Sequence, residues 1–489
     1  MLNVTTFLDA NACRLDKPVY YNIDSDQRYT SRDILGIISQ LGRILIDEGI
    51  EKGDRVLIYL NNSPEYLFSL LALWRIGAVA IPTNRIYTIP ELQYFIDDSD
   101  AKLIITDDKL DELDIPSYII SNLDEYKSAP ILEVCNTNWD DLCQLQYTSG
   151  TTGKPKGAML THGNWFSAIQ NETDVLQLDD TSVMFCIYPM AHVGISWLIC
   201  ALRRGALGIT KNQYTFDEYL DIIFKNQVTH ATGMPPVIHS IVSNPDKVGN
   251  KLYSVESIIS GGGPLHKEIW KKFYKQYGIP ILNAYGSSET IVIGTGTVIR
   301  PEDYAFADRF ESVGHPVCFS EVKIVDTDNS NIQLDYNEDG EIALRGPSIA
   351  VGYWNKKEQS EEVFLDDGWF LTGDVGYLDE DNRLFITDRK KDMIIMSGWK
   401  IYPTEVEEIL LKYDKVSEIA VFSLPHEHRG EIPVAAVIWK NEPDDDGLLN
   451  FAHEHLARYK IPRKIFTVDN LPRVNNWKLL RKDLKEKFS

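Results

Sequence analysis

The chain has 489 residues, 44% hydrophobic and 25% charged, which excludes whole-chain disorder and a disulfide scaffold. At about 150 residues per domain it predicts roughly three domain-sized units. Its 49 Lys and Arg against 72 Asp and Glu leave a formal charge of −23. Such a surface repels a polyphosphate backbone, so nucleic acid is not expected as a partner, and an anionic substrate must meet a local concentration of Lys and Arg.

In chain order, the opening MLNVTTFLDANACRLDKP places no basic residue before an apolar core and lacks a signal-peptide pattern. RVLIYL (55–60), AVAIPT (78–83), KLIITD (102–107), GALGIT (205–210), SIISGG (257–262) and PILNAYGS (280–287) predict short buried strands. Between them, SPEYLFSLLALWRIG (63–77), DEYLDIIFKNQ (217–227) and HKEIWKKFYKQYG (266–278) carry a helical period. The most apolar stretch, 66–82, is broken by Arg75 and Gly77. A bilayer span needs about 20 predominantly apolar residues, so this stretch reads as a buried helix followed by a buried strand. The alternation predicts largely parallel sheets, whose ligands bind at loops beyond the carboxyl ends of the strands.

From about 312 to 388, EVKIVDTD, GEIALRG, GWFLTGDVGYLD and RLFITD read as strands without a long helix, a small antiparallel sheet or barrel. Beyond the charged knot DRKKD (388–392), PTEVEEILLKYDKV (403–416) has a helical period and SEIAVFSLP and PVAAVIWK read as strands. A helix is predicted near 446–459, and the acidic run near 442–446 reads as a solvated loop. The fold class is therefore α/β. A large N-terminal domain, 1–390, holds packed mixed and parallel sheets with helices plus a small β-barrel-like subdomain, and 391–489 forms a small α+β domain. Six scattered cysteines with no CxxC pair read as buried, reduced thiols, consistent with a cytoplasmic protein without a transmembrane segment. HEHRGE (426–431) and FAHEHL (451–456) lack HExxH spacing and read as surface.

The densest chemistry lies in YTSGTTGKPKG (147–157). Thr148, Ser149, Thr151 and Thr152 offer hydroxyls, Gly150, Gly153 and Gly157 let backbone N–H groups curl toward an anion, and Lys154 and Lys156 add positive charge. Together they make a phosphate cradle. It is not a Walker loop, since only two residues separate Gly150 from Gly153 and Pro155 follows Lys154.

This segment resembles the phosphate-loop signature of the adenylate-forming superfamily: acyl-CoA synthetases, peptide-synthetase adenylation domains and firefly-type luciferases. Further segments resemble the family's motifs in order. They are YPMAHVG (188–194), SGGGPL (260–265), NAYGSSET (283–290), GEIALRGPSIAVGYWN (340–355), GWFLTGDVG (368–376), DRKKDMIIMSGWKIYPTEVE (388–407) and LPRVNNWKLLR (471–481). The resemblance runs from about residue 20 to the end and implies ATP, Mg²⁺ and coenzyme A as cofactors and a small-molecule carboxylic acid as substrate.

Gly261, Gly262 and Gly263, with the 283–290 segment, then match the adenine-binding loops. Tyr285 offers a flat face for adenine, Gly286 leaves room for backbone, Ser288 keeps a hydroxyl where the family has threonine, and Glu289 supplies a hard oxygen ligand for Mg²⁺. Taken alone, Glu289 reads as a helix N-terminal carboxylate, Asp374 as a turn residue and His192 as a core side chain. In the matched context Asp374 and Arg389 grip the ribose, and His192 stands between the acyl carboxylate and the thiol entrance. Lys391 matches the hinge of a mobile C-terminal domain, and Gly398 the residue lining the pantetheine tunnel. Lys478 matches the lysine whose ammonium bridges carboxylate and α-phosphate as the two anions are brought together. One departure is Trp477, where the family usually carries glycine.

Val193 occupies the place where amino-acid-activating relatives put an aspartate, and an ammonium desolvated there would lack a partner. The remaining acyl-pocket candidates, Gly194, Trp197, Leu198, Val292 and Ile293, are small or apolar. Gly194 replaces a tyrosine of coumarate-type ligases, which suggests room for a longer tail, so a medium- or long-chain fatty acid is expected. The preferred function is a free-standing acyl-CoA synthetase. The alternatives are an acyl-AMP ligase loading a carrier protein and a catalytically impaired ATP- or acyl-adenylate-binding protein, the latter motivated by Trp477. A homodimer is left open.

Overall fold

Apolar runs too short for a helix line up as strands, and amphipathic helices carry the chain back between them. A computed structural model describes residues 2–121, 123–148, 154–263, 265–300, 304, 311–397, 399–474 and 478–489, with the backbone alone for Val474 and Lys478. One sheet has six strands, in spatial order Ser117–Ile119, Leu103–Thr106, Arg55–Leu60, Val79–Asn84, Leu142–Thr148 and Lys156–Thr161. Every pair in it is parallel except the last. The other sheet has nine strands, in order His315–Pro316, Val292–Val298, Ile281–Ser287, Ser257–Ser260, His230–Thr232, Val183–Cys186, Leu207–Thr210, Pro18–Asn22 and Gln27–Thr30. Its centre is parallel and its two ends are antiparallel.

The helix expected over 63–77 occupies Pro64–Ile76. The Ser63 hydroxyl caps it by accepting from the Tyr66 N–H at 3.3 Å, and Gly77 ends it at a φ of 78°. Arg75 tolerates burial there because its guanidinium meets Asp9 at two points, 2.9 and 3.0 Å, and donates to the Leu132 carbonyl. Among the described residues no helix is long and apolar enough to cross a membrane. All six thiols are free, but Cys13 and Cys318 are exposed, which corrects the expectation that all are buried. Cys13 falls on the solvent side of the helix Thr6–Arg14, and Cys318 in the turn before the strand Glu321–Val325.

The chain packs as two units, Met1–Val322 with Leu344–Phe370, and Lys323–Ala343 with Leu371–Ser489. The division falls inside a four-stranded sheet, Glu321–Val325, Gly340–Arg345, Phe370–Leu378 and Leu384–Arg389. The end of that sheet is tied to the helix Pro403–Leu410, since Asp388 accepts from the Thr404 N–H at 2.8 Å. The second unit continues with the long hairpin Val416–His426 and Gly430–Trp439, flanked by Ile394–Met396, Trp399–Ile401 and Ile465–Thr467. The helices Asp445–His455 and Arg481–Phe488 complete it. The acidic run read as a solvated loop is a helix start: Asp444 accepts from the Gly447 N–H at 3.1 Å and pairs with Lys415 at 2.6 Å.

Candidate active site

In the first unit, the strands Leu142–Thr148 and Lys156–Thr161 are the two ends of the glycine- and threonine-rich segment. Thr148 pairs with Lys156 across them. Ser149, Gly150, Thr151 and Thr152 lie outside the described residues. Lys156 places its ammonium 4.3 Å from the centre of the Tyr353 ring, a favourable cation–π distance. The Tyr353 hydroxyl in turn donates to Glu289 Oε1 at 2.9 Å. Burial and the adjacent Glu289 push the Tyr353 phenol up, so it stays a donor. The arrangement fits a magnesium ligand: one oxygen of the carboxylate is oriented by the phenol, and a carboxylate carries further lone pairs. Tyr353 falls within the 340–355 stretch that resembles the family, yet nothing local marks it out. Its partner is 64 positions away.

The expected adenine loops follow the strands Ser257–Ser260 and Ile281–Ser287, which pair Ser260 with Asn283. Tyr285 is buried and Gly286 half-buried. A Cβ on Gly286 would fall 1.7 Å from the Val292 carbonyl, so only glycine permits this backbone approach. The turn carrying Glu289, Ser288–Thr290, is followed by Ile291 and Val292 at φ of 50° and 51°. Left-handed backbone in β-branched residues costs on the order of 1–3 kcal/mol each. Thr290 holds the turn, its hydroxyl donating to the Val292 carbonyl at 2.8 Å and accepting from the Ser287 N–H at 2.9 Å.

His192 is half-buried and precedes the turn Val193–Ile195. Its segment is fixed from behind. Asn62 accepts from the Met190 N–H at 2.8 Å, and Gln146 donates to the Ala191 carbonyl at 3.0 Å. Val193, Trp197, Leu198 and Ile293 are buried, and Val292 is partly buried. A Cβ on Gly194 would lie 2.9 Å from Tyr188 Cβ. Tyr188 therefore packs against Gly194, and its hydroxyl donates to the Gly261 carbonyl at 3.2 Å.

Behind these residues Glu172 is fully buried beside Ser196 and the Ile293 N–H. Its Oε2 accepts from the Cys200 thiol at 3.6 Å, and among the described residues its Oε1 has no hydrogen-bond partner. Burial pushes its carboxyl up to about 8 from the ordinary 4.5. The folded chain therefore keeps a proton that the unfolded chain releases above about pH 4.5, and stability falls as pH rises from there until the folded group ionises. Glu172→Gln should thus raise the melting temperature at pH 8.5 by at least about 4 °C and leave it nearly unchanged at pH 5. The same difference at both pH values would show that Glu172 is not held neutral.

In the second unit, Asp374 and Arg389 are paired across the hairpin of Phe370–Leu378 and Leu384–Arg389, with Arg389 Nε 2.9 Å from Asp374 Oδ1. Asp374 is nearly buried while Arg389 is half-exposed, so the pair presents one buried and one solvent-facing group. Lys390 is tied to Glu341 at 2.6 Å, and Lys391 is exposed. Gly398 and Trp477 lie outside the described residues. Lys478 begins the strand Lys478–Leu479, paired antiparallel with Arg473–Val474.

Residues 7–354 match the family model described as AMP-binding enzyme, and residues 405–478 match the AMP-binding enzyme C-terminal domain. The chain is 32% identical to 4-coumarate–CoA ligase 3 of Arabidopsis thaliana, over 97% of this chain and 89% of that protein. It is 31% identical to a 2-succinylbenzoate–CoA ligase of Bacillus cereus, over 90% of this chain and 89% of that protein. The crystal structure of ATP-bound MatB from Rhodopseudomonas palustris superposes with a TM-score of 0.90 at 26% identity, covering 100% of this chain and 99% of that one.

Proposed function

The chain belongs to the AMP-binding enzyme family, and from that premise we propose that it joins an acid with an apolar body to CoA through an acyl-adenylate, releasing pyrophosphate and then AMP. ATP, Mg²⁺ and CoA are the usual reactants of AMP-forming CoA ligases. The observation that carries the reading is the convergence of Lys156 and Glu289 on Tyr353. A phosphate-binding cation and a metal-ligating carboxylate are thereby fixed to one rigid ring. On this reading, Lys156 and the hydroxyls of the 147–157 segment hold ATP phosphates and Glu289 holds the metal. Tyr285, Asp374 and Arg389 hold the nucleoside, His192 borders the carboxylate, and Lys478 supplies charge as the acyl–phosphate bond forms. The C-terminal domain, 391–489, turns about Lys391 between the two half-reactions.

The apolar lining of Val193, Trp197, Leu198 and Ile293 supports a medium- or long-chain fatty acid. The contact between Gly194 and Tyr188 favours a second reading, a shorter or flat acid, in line with the coumarate and succinylbenzoate named for the relatives. Mass spectrometry of products from ATP, Mg²⁺ and a panel of C4–C16 and aryl acids, with and without CoA, tests both. Acyl-CoA from one window of acids supports the ligase and selects the substrate class. An acyl-adenylate that accumulates and ignores CoA would replace CoA by a carrier protein. ATP binding without product from any acid would overturn the enzymatic reading.

A further inference from the structure

We propose that Asp98 is a positioning residue for ATP, a buried carboxylate that pins both ends of the 147–157 phosphate loop. The inference rests on reading that segment as the loop that holds the ATP phosphates.

Asp98 sits in the last turn of the helix Ile89–Ser99, its side chain 6% exposed. Its Oδ2 accepts from the Tyr147 hydroxyl at 2.8 Å and its Oδ1 from the Lys356 ammonium at 2.7 Å. Tyr147 stands one residue before Thr148, on the strand that enters the loop. Its ring lies 3.2 Å from where a Cβ on Gly157 would fall, on the strand that leaves it. The other end is reached through Tyr94, one turn earlier on the same helix. The Tyr94 hydroxyl lies 3.4 Å from Asp98 Oδ1 and donates to the Pro155 carbonyl at 2.7 Å, and its ring is 5.2 Å from the Lys154 ammonium. Lys356 completes the set three residues after Tyr353, and Asn355 donates to the Asp98 carbonyl at 3.3 Å. One carboxylate therefore joins the entering strand, the leaving strand and the segment that orients Glu289.

The physical consequence is preorganisation. A loop with free ends loses more conformational entropy on gripping a phosphate than one whose ends are already fixed. Bonds to an ionised carboxylate are roughly twice as strong as neutral ones, and this carboxylate is shielded from water. Burial and the neighbouring Asp98 also keep the Tyr147 phenol protonated, so it remains a donor. The charge effect runs the opposite way. Removing a negative charge near the phosphates would by itself tighten ATP binding, so weaker MgATP binding with AMP binding unchanged points to lost positioning.

The test compares MgATP and AMP affinity by calorimetry on the full chain, in the wild type and in Asp98→Asn, Asp98→Ala and Tyr94→Phe. AMP lacks the β- and γ-phosphates and reports the nucleoside and α-phosphate contacts without them. The expected result is MgATP binding about tenfold weaker in Asp98→Asn, a smaller loss in Tyr94→Phe, and AMP binding within about twofold of wild type throughout. Asp98→Asn keeps the shape of the side chain and serves if Asp98→Ala fails to fold. Equal losses for MgATP and AMP would reduce Asp98 to a structural residue, and unchanged or tighter MgATP binding would overturn the proposal. A wild type that binds MgATP no better than AMP would instead sink the phosphate-loop reading itself. A wild type that binds MgATP but forms no product would sink the ligase reading and leave the Asp98 comparison intact.

Discussion

Lys478→Ala should slow acyl-adenylate formation by on the order of 10²–10³ while leaving thioester formation from supplied acyl-AMP close to wild type. The two steps differ in what they ask of a cation. In the first, a carboxylate approaches the α-phosphorus of ATP and negative charge gathers between two anions, so a fixed ammonium lowers the barrier directly. In the second, the thiol attacks an acyl group already activated, AMP leaves as a stable anion, and no such convergence occurs. The backbone gives the lysine a defined base: Lys478–Leu479 pairs with Arg473–Val474, the Leu480 N–H donates to the Pro472 carbonyl at 2.9 Å, and Leu479 packs against the cluster around Phe422 and Leu484. Equal loss of both half-reactions, followed separately by pyrophosphate release and by CoA consumption from acyl-AMP, would show that the lysine acts on folding or in both steps.

Much of the scaffold could be read from local pattern, and little of the machinery that braces the site. RVLIYL became the strand Arg55–Leu60 with its ends unchanged, because five consecutive buried residues and flanking turns leave few alternatives. The helices Ser31–Asp47 and His162–Leu176 are not among the elements read from the sequence, although both begin at threonine capping boxes, Thr30 with Asp33 and Thr161 with Asn164, and Ile34, Leu35, Ile38, Leu41 and Leu45 of the first repeat at helical spacing. Those caps and that apolar stripe were the available signal. The bracing residues had none. Lys356 meets Asp98 across 258 positions, and Glu172 meets Cys200 across a helix pair, so each looks locally like one more surface charge or helix residue. Asp374 and Arg389 face each other because register pairing in the hairpin places them opposite on its two strands. Gly194 is ambiguous from its sequence for the complementary reason. A missing side chain says that something comes close, and whether that is a substrate tail or Tyr188 depends on a ring six residues away.

Arg481→Met should destabilise the C-terminal unit by about 3–5 kcal/mol, the usual cost of leaving a buried charge without its partner. Arg481 starts the last helix, and its guanidinium meets both oxygens of Glu407 at 2.8 Å, stands 3.6 Å from Asp392 and donates to the Val421 carbonyl at 3.0 Å. Burial raises the Glu407 and Asp388 carboxyls and opposes the charge on Arg481, but Glu407, Asp388 and Asp392 outweigh it and hold the guanidinium charged. One arginine thus ties the helix Pro403–Leu410, the strand Val416–His426 and the residues flanking Lys391 to the stem that bears Lys478. Its loss leaves Glu407 and Asp388 facing each other in a dry interior. Neutralising the opposite partner should recover much of that loss, so Arg481→Met with Glu407→Gln is expected to melt above Arg481→Met alone. Denaturant unfolding of the two single variants and the double variant measures the coupling. Additive losses would mean that the arginine acts through packing of its stem and that its charge is compensated elsewhere. A coupled recovery of stability without recovery of adenylation would show that the same ion pair also sets the direction of the Lys478 strand, since the neutral pair restores the fold but not the two-point geometry that aims it.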